Sequence, residues 1–210
     1  MVKRANIYVD GFNLYYGALK GTAYKWLDIE ALGRRLVPGY DINRIRYFTA
    51  RIIQDPADPD PWLRQHVYLR ALAANPIISI HMGRFQRTRT RMMLAVPRAG
   101  QPRTVEVIKT EEKGTDVNIA SYLLLDAFEV DSDLAVIVSN DADLAEPMRI
   151  VLREFGMDVG IANPFRRPSS ELSRVPVTLR RQIREGMLAA SQLPPVLKGK
   201  GSLIRRPAAW

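Results

Sequence analysis

Four aspartates in this chain stand where apolar segments end or begin. Asp10 follows Ala5-Asn-Ile-Tyr-Val9, and Asp141 and Asp143 follow Leu134-Ala-Val-Ile-Val-Ser139 across Asn140. Asp116 opens a periodic apolar stretch just after Lys113-Gly114-Thr115. Carboxylates gathered in one place suit a hard divalent cation, Mg2+ or Mn2+, which prefers oxygen ligands. Such an ion activates a bound water and stabilises a leaving oxygen, which is what hydrolysis of a phosphodiester requires. Each acid also has a purely local account. Asp10-Gly11 reads as a turn, Asp141 and Asp143 as a helix cap with an acid facing the dipole, and Thr115-Asp116 as a capped first turn. Their joint placement is what points to a site.

The elements around them explain how residues so far apart in sequence could meet. Ala5–Val9 and Leu134–Ser139 are β-rich runs that pass straight into acids, and Ile45–Ile52, Ile77–Met82 and Met157–Ala162 also read as strands. Between them lie helical patterns: Phe12–Leu19, a helix capped by Asp28 and running through Leu36, Trp62–Ala74, Thr115–Phe128, and a helix capped by Asn140-Asp141. A further helix is expected over Leu179–Ala190. Alternation of this kind predicts an α/β fold, a sandwich around a mainly parallel sheet. In such a sheet all strand carboxyl ends lie along one edge, where ligands bind and helix N-termini point inward. Asp116 precedes Ile119 and Ala120 by three and four residues, which puts it on the sheet-facing side of its helix. Asn13 and Asn118, each just after an acid, add amides able to orient a water or a phosphate oxygen.

Thirty-one Lys and Arg against 22 Asp and Glu give a net charge of +9 over 210 residues, a balance that favours polyanionic partners. The excess is concentrated. Arg84 to Lys109 holds Arg84, Arg87, Arg89, Arg91, Arg98, Arg103 and Lys109 against Glu106 alone, and 166–206 holds ten basic residues against Glu171 and Glu185. The first stretch alternates basic and apolar residues around Pro97–Pro102 and predicts a β-hairpin arm at about 84–110. One domain over 1–163, with a basic extension over 164–210 packed on it, accounts for the whole chain. With no cysteine, disulfides, iron–sulfur clusters and thiolate zinc sites are excluded. Only His66 and His81 are present, and both read as structural; Trp26, Trp62 and Trp210 read as packing residues, with Trp210 pinning the tail. No glycine-rich phosphate loop and no nucleophile elbow occur. Without a membrane-length apolar run or a leader pattern, a cytoplasmic protein that binds no membrane is expected. An exposed sheet edge or the arm leaves room for a homodimer.

Three segments resemble the motifs of NYN domains, members of the PIN-like nuclease superfamily, and most of all its LabA-like branch: Tyr8-Val-Asp10-Gly11-Phe12-Asn13-Leu14, Lys113-Gly114-Thr115-Asp116-Val117-Asn118 and Val138-Ser139-Asn140-Asp141-Ala142-Asp143-Leu144. The resemblance implies a PIN-like three-layer α/β/α sandwich and a Mg2+- or Mn2+-dependent endoribonuclease. In that scheme Asp10, Asp116 and Asp141 bind the metal, Asp143 is an auxiliary catalytic acid, and Asn13 and Ser139 are polar neighbours of the site. Asn140 stands where Gly or Ser is usual, a departure that bears on the strand-to-helix turn. Glu111 and Glu112 are candidates for a variable fourth acid. The expected partner is nucleic acid, RNA ahead of DNA, with Asn13, Asn118, Ser139, Arg87, Arg89 and Arg91 contacting it. Two other functions compete: a nucleic-acid-binding regulator of weak or no activity on the same fold, and a phosphatase. For the latter the usual Asp-x-Asp-x-Thr loop is missing, since Gly11-Phe12-Asn13 follow Asp10.

Overall fold

Side chains alternate across a strand, and in the first strand, β1 (Arg4–Asp10), both faces are buried. Ile7 and Val9 join one apolar cluster while Tyr8 joins another, so helices must cover the sheet on both sides. The computed structural model describes residues 2–54, 58, 60–96, 100, 102–199 and 201–210. Its other main strands are β2 (Asp41–Ala50), β3 (Ile78–Met93), β4 (Thr104–Lys113), β5 (Leu134–Val138), β6 (Asp158–Asn163) and β7 (Leu179–Gln182). They form a seven-stranded sheet in the order β4-β3-β2-β1-β5-β6-β7. Every neighbouring pair is parallel except β3 and β4. The fold is α/β with a mainly parallel central sheet, as the alternation of elements predicts.

Helices α1 (Gly11–Leu14), α2 (Ile29–Leu36) and α3 (Asp60–Leu72) lie on one face, where Leu14, Leu32, Leu36, Tyr68 and Leu72 pack on Ile7, Val9, Ile45, Tyr47 and Val136. Helices α4 (Thr115–Phe128) and α5 (Ala145–Glu154) lie on the other, where Ile119, Leu123, Met148 and Val151 pack on Tyr8, Phe48, Ile137 and Val159. A buried ion pair ties α4 to the sheet. Asp126, fully buried on that helix, accepts hydrogen bonds from Arg46 Nε at 2.8 Å, Arg46 Nη2 at 2.5 Å and the Tyr8 hydroxyl at 2.7 Å. Arg46 in turn lies 4.4 Å from the centre of the Tyr122 ring.

Some local expectations give way. The segment after Asp10 is one α-turn followed by a π-helical turn, Tyr15–Leu19. Strand β3 does not stop at Met82: it runs on to Met93, pairing with β2 as far as Gly83 and with β4 from Arg84 onward. The basic arm is therefore the continuation of a sheet strand. Its tip, at Pro97–Ala99 and Gln101, lies outside the described residues. The helix expected over Leu179–Ala190 is instead the edge strand β7 and a short helix α6 (Glu185–Ala189), because β6 offers an open edge to which Leu179–Gln182 bonds in parallel. The chain then forms a small ribbon, β8 (Val196–Lys198) with β9 (Leu203–Arg205), and brings Trp210 against Tyr68 and Trp26 at ring distances of 5.7 and 6.3 Å. Among the described residues no helix is long and apolar enough to cross a membrane.

Candidate functional site

Strands β1 and β5 are paired in parallel and end side by side, which brings Asp10 and Asp141 to the same edge. A hydrogen-bond chain fixes the turn between them. Asp10 accepts from the Asn13 amide N–H at 2.9 Å and from the Ser139 hydroxyl at 3.1 Å. Ser139 Oγ in turn accepts from the Asp141 N–H at 3.1 Å, and Asn13 Oδ1 accepts from the Asn140 N–H at 2.8 Å. Asp141 closes the series by accepting from the Asp143 N–H at 3.0 Å. The side chain of Asn140, the departure from the family pattern, receives the Ser169 N–H at 2.7 Å and donates to the Arg167 carbonyl at 3.1 Å. It thereby sews the following loop to the turn.

Asp116 arrives from the other side. Gly114, with φ at 96°, takes the left-handed conformation that a side chain disfavours and turns the chain from β4 into α4. Asp10, Asp116 and Asp141 then line one open cavity of about 370 Å³ together with Glu112, Asn13, Phe12, Tyr16, Phe85 and Phe165. Glu112 is held there by the backbone N–H of Thr115 at 3.2 Å and by the Thr115 hydroxyl. Of the two glutamates weighed from sequence, Glu112 faces the cavity while Glu111 is drawn away by Lys109 and Lys113. The signal that separates them is strand parity, since Glu112 pairs with Phe85, another cavity residue, and Glu111 with Gln86.

The electrostatics are those of crowded acids. Burial pushes the Asp10 carboxyl up to about 6, opposed by its two hydrogen bonds and reinforced by the charges of Asp141 and Glu112. Asp116 is also pushed up to about 6, first by burial and then by Asp141, Asp10, Glu112 and Asp143. Anions that raise one another in this way call for a counter-cation. The donors fit a hard divalent ion in kind, all being carboxylates. As they stand, however, no three His, Cys, Asp or Glu side chains among the described residues form a group able to hold a metal. The three aspartates named from sequence do line one cavity, with their carboxylates spread along its wall.

Not every expected residue reaches the cavity. Asp143 is exposed and outside its wall, acting on Asp116 through charge and on Asp141 through its N–H. Ser139 is fully buried behind Asp10. Asn118, one turn on from Thr115 in α4, does not line the cavity. Arg87, Arg89 and Arg91 are exposed, and alternate positions put them on one face of the ribbon. Phe85 and Glu112 share that parity, so the arginine row begins where the cavity wall ends. His81, stacked on Phe48 at 4.9 Å, is held down to about 4 by burial and by Arg46, and stays neutral.

Comparison with known proteins agrees with this architecture. The NYN domain family profile matches residues 4–177. The chain is 31% identical over 236 aligned positions to 6-hydroxy-3-succinoylpyridine 3-monooxygenase HspA of Pseudomonas putida (strain DSM 28022 / S16), covering 99% of this chain and 75% of that protein. The crystal structure of VPA0982 from Vibrio parahaemolyticus RIMD 2210633, a protein of unknown function, superposes with a TM-score of 0.56 at 17% identity, covering 91% of this chain and 96% of that one. That likeness concerns the fold alone.

Proposed function

The chain belongs to the NYN domain family, within the PIN-like nuclease superfamily, and from that premise we propose that it is a divalent-metal-dependent nuclease cutting single-stranded RNA. One observation carries this: four acids from three separate segments share a cavity, and a row of arginines leaves its wall along the same ribbon face. Asp10, Asp116 and Asp141 would hold Mg2+ or Mn2+, with Glu112 as the fourth oxygen donor. When bound, the ion supplies the Lewis acidity that activates water and offsets charge on the leaving oxygen. The protein's part is positioning. Ser139 and the Asn13 N–H fix the Asp10 carboxylate, and the Asp126–Arg46 pair anchors α4 and with it Asp116. Arg87, Arg89 and Arg91 hold backbone phosphates without reading sequence.

The test is cleavage of end-labelled single-stranded RNA and DNA with Mn2+, Mg2+ or EDTA, beside Asp141→Asn. Metal-dependent cutting at least a hundredfold weaker in the variant is the expected result, and the RNA-to-DNA ratio names the substrate. Tight RNA binding with no cutting by either protein would favour a binding regulator on the same fold. Equal cutting by both would remove Asp141 from the site.

HspA supports a second function, since its name describes hydroxylation of a pyridine and its likeness spans nearly the whole chain. That chemistry consumes dioxygen and two electrons from a reductant. Oxygen uptake with a reduced nicotinamide donor and a hydroxypyridine, absent from a boiled control, would favour it over phosphodiester hydrolysis.

A further inference from the structure

A second cavity, of about 340 Å³, adjoins the carboxylates. Phe12, Tyr16 and Ile52 belong to the walls of both, so the two spaces are neighbours across a shared partition. Its walls are aromatic to an unusual degree: Tyr15, Tyr47, Tyr68 and Trp210 join Phe12 and Tyr16. The sequence explains how they meet. Tyr47 and Thr49 are alternate residues of β2 and point to the same face. Tyr68 comes from α3, and Trp210 is brought in by the returning tail.

Polar groups are few and well placed. Tyr47, a buried residue, lines the cavity, and its hydroxyl makes no hydrogen bond among the described residues. Burial and the charge of Asp10 push its ionisation far up, so it remains a donor. The buried Thr49 adds a second hydroxyl, and Lys25 and Arg64 stand on the wall, Arg64 also paired at 3.4 Å with Asp60. Gly11 lines this cavity too. A Cβ there would stand 2.8 Å from the Tyr47 hydroxyl and 2.8 Å from the Phe48 carbonyl oxygen.

We propose that this cavity is a subsite for one planar aromatic heterocycle carrying an anionic group, and that its occupant is the base of a nucleotide next to the phosphate at the carboxylates. Flat π-faces stack on tyrosine and tryptophan whatever the base, and the size suits a small ligand. Tyr47 and Thr49 offer hydrogen bonds to ring heteroatoms, while Lys25 and Arg64 match the negative charge. The assignment of a base as the source rests on the nuclease function proposed above; the capture of a ring does not. A free heterocyclic acid offers the same chemistry, and the probes separate the two.

The experiment is titration with AMP, UMP and nicotinate in EDTA, followed by tryptophan fluorescence, since Trp210 lines the cavity. Wild type is compared with Tyr16→Ala, Tyr47→Phe and Asp141→Asn. Tyr16 is 57% exposed, so its removal leaves the fold standing. Loss of its stacking face is expected to weaken nucleotide binding about tenfold, and loss of the Tyr47 hydroxyl about fivefold. Asp141→Asn takes one negative charge away from the side where the phosphate would sit and is expected to bind AMP and UMP more tightly than wild type, even where cleavage is lost. Binding of nicotinate but not of AMP or UMP would keep the ring subsite and overturn the nucleotide as its occupant. No saturable binding of any probe, or equal binding by the Tyr16 and Tyr47 variants, would overturn the subsite even if RNA is cut.

Discussion

Replacing Asp116 by Asn should make the protein more stable while removing one of the proposed metal ligands. Asp116 is pushed from 3.8 to about 6 in the fold. Between those values the folded state holds more protons than the unfolded one, so stability falls as pH rises and reaches its lower plateau above about 6. A difference of that size is worth about 3 kcal/mol at 1.36 kcal/mol per pH unit, and partial solvent access reduces it to about 2 kcal/mol. For a chain of this length that corresponds to a gain of about 4–8 °C in melting temperature. The assay is thermal denaturation of wild type and variant in EDTA at pH 7.5 and at pH 4. The gap should be present at pH 7.5 and close at pH 4, where the carboxyl is protonated in the fold. Adding Mn2+ should then raise wild type more than the variant, since an ion at 100 times its dissociation constant adds about 2.7 kcal/mol. Equal melting points at pH 7.5, or a gap unchanged at pH 4, would refute the claim that crowded charge governs this site.

Three other outcomes follow from the same structure. Arg46→Met should cost about 3–5 kcal/mol in denaturant titration, because it strands the fully buried Asp126, and adding Asp126→Leu should recover most of the loss. Gly11→Ala should cost about 1–3 kcal/mol, since its methyl has no room beside Phe48 and Tyr47, and cleavage should fall with it as Asp10 is displaced. Changing Arg87, Arg89 and Arg91 together to Gln should weaken RNA binding and flatten its logarithmic salt slope by about 2, whereas an unchanged slope would free the ribbon of any phosphate contact.

How much of this was legible in sequence differs residue by residue. Asp10 and Asp141 could be brought together from sequence because parallel topology sends strand ends to one edge, Asp116 because its spacing from Ile119 and Ala120 turns it toward the sheet, and the motifs of all three carry a family likeness. Glu112 could not be told from Glu111, because the choice depends on which residue of β3 stands opposite. Leu179, Ile183 and Met187 repeat every fourth residue, a helical pattern, yet Leu179–Gln182 is a strand because a distant edge of the sheet supplies its partner. The aromatic cavity was invisible for the same reason. Tyr47, Tyr68 and Trp210 share no local pattern, and only tertiary packing collects them. The Asp126–Arg46 pair was missed because an acid inside an amphipathic helix reads as solvent-facing until the sheet beneath it is known.

The sheet ends on both sides in strands rich in charge. Strand β4 offers Glu106, Lys109, Glu111 and Lys113 along its length, and β7 offers Arg180 and Arg181. An open strand edge is an invitation to another chain, and charge along it is the usual refusal. On β7 the two arginines set like charge against like in a second copy, whereas β4 mixes acids and bases and makes pairing costly through buried charge; the chain's net surplus of +9 adds a longer-range repulsion. Neutralising that surplus, by mutation or by a tightly bound polyanion, removes the repulsion between copies, so colloidal solubility and substrate capture draw on the same charges.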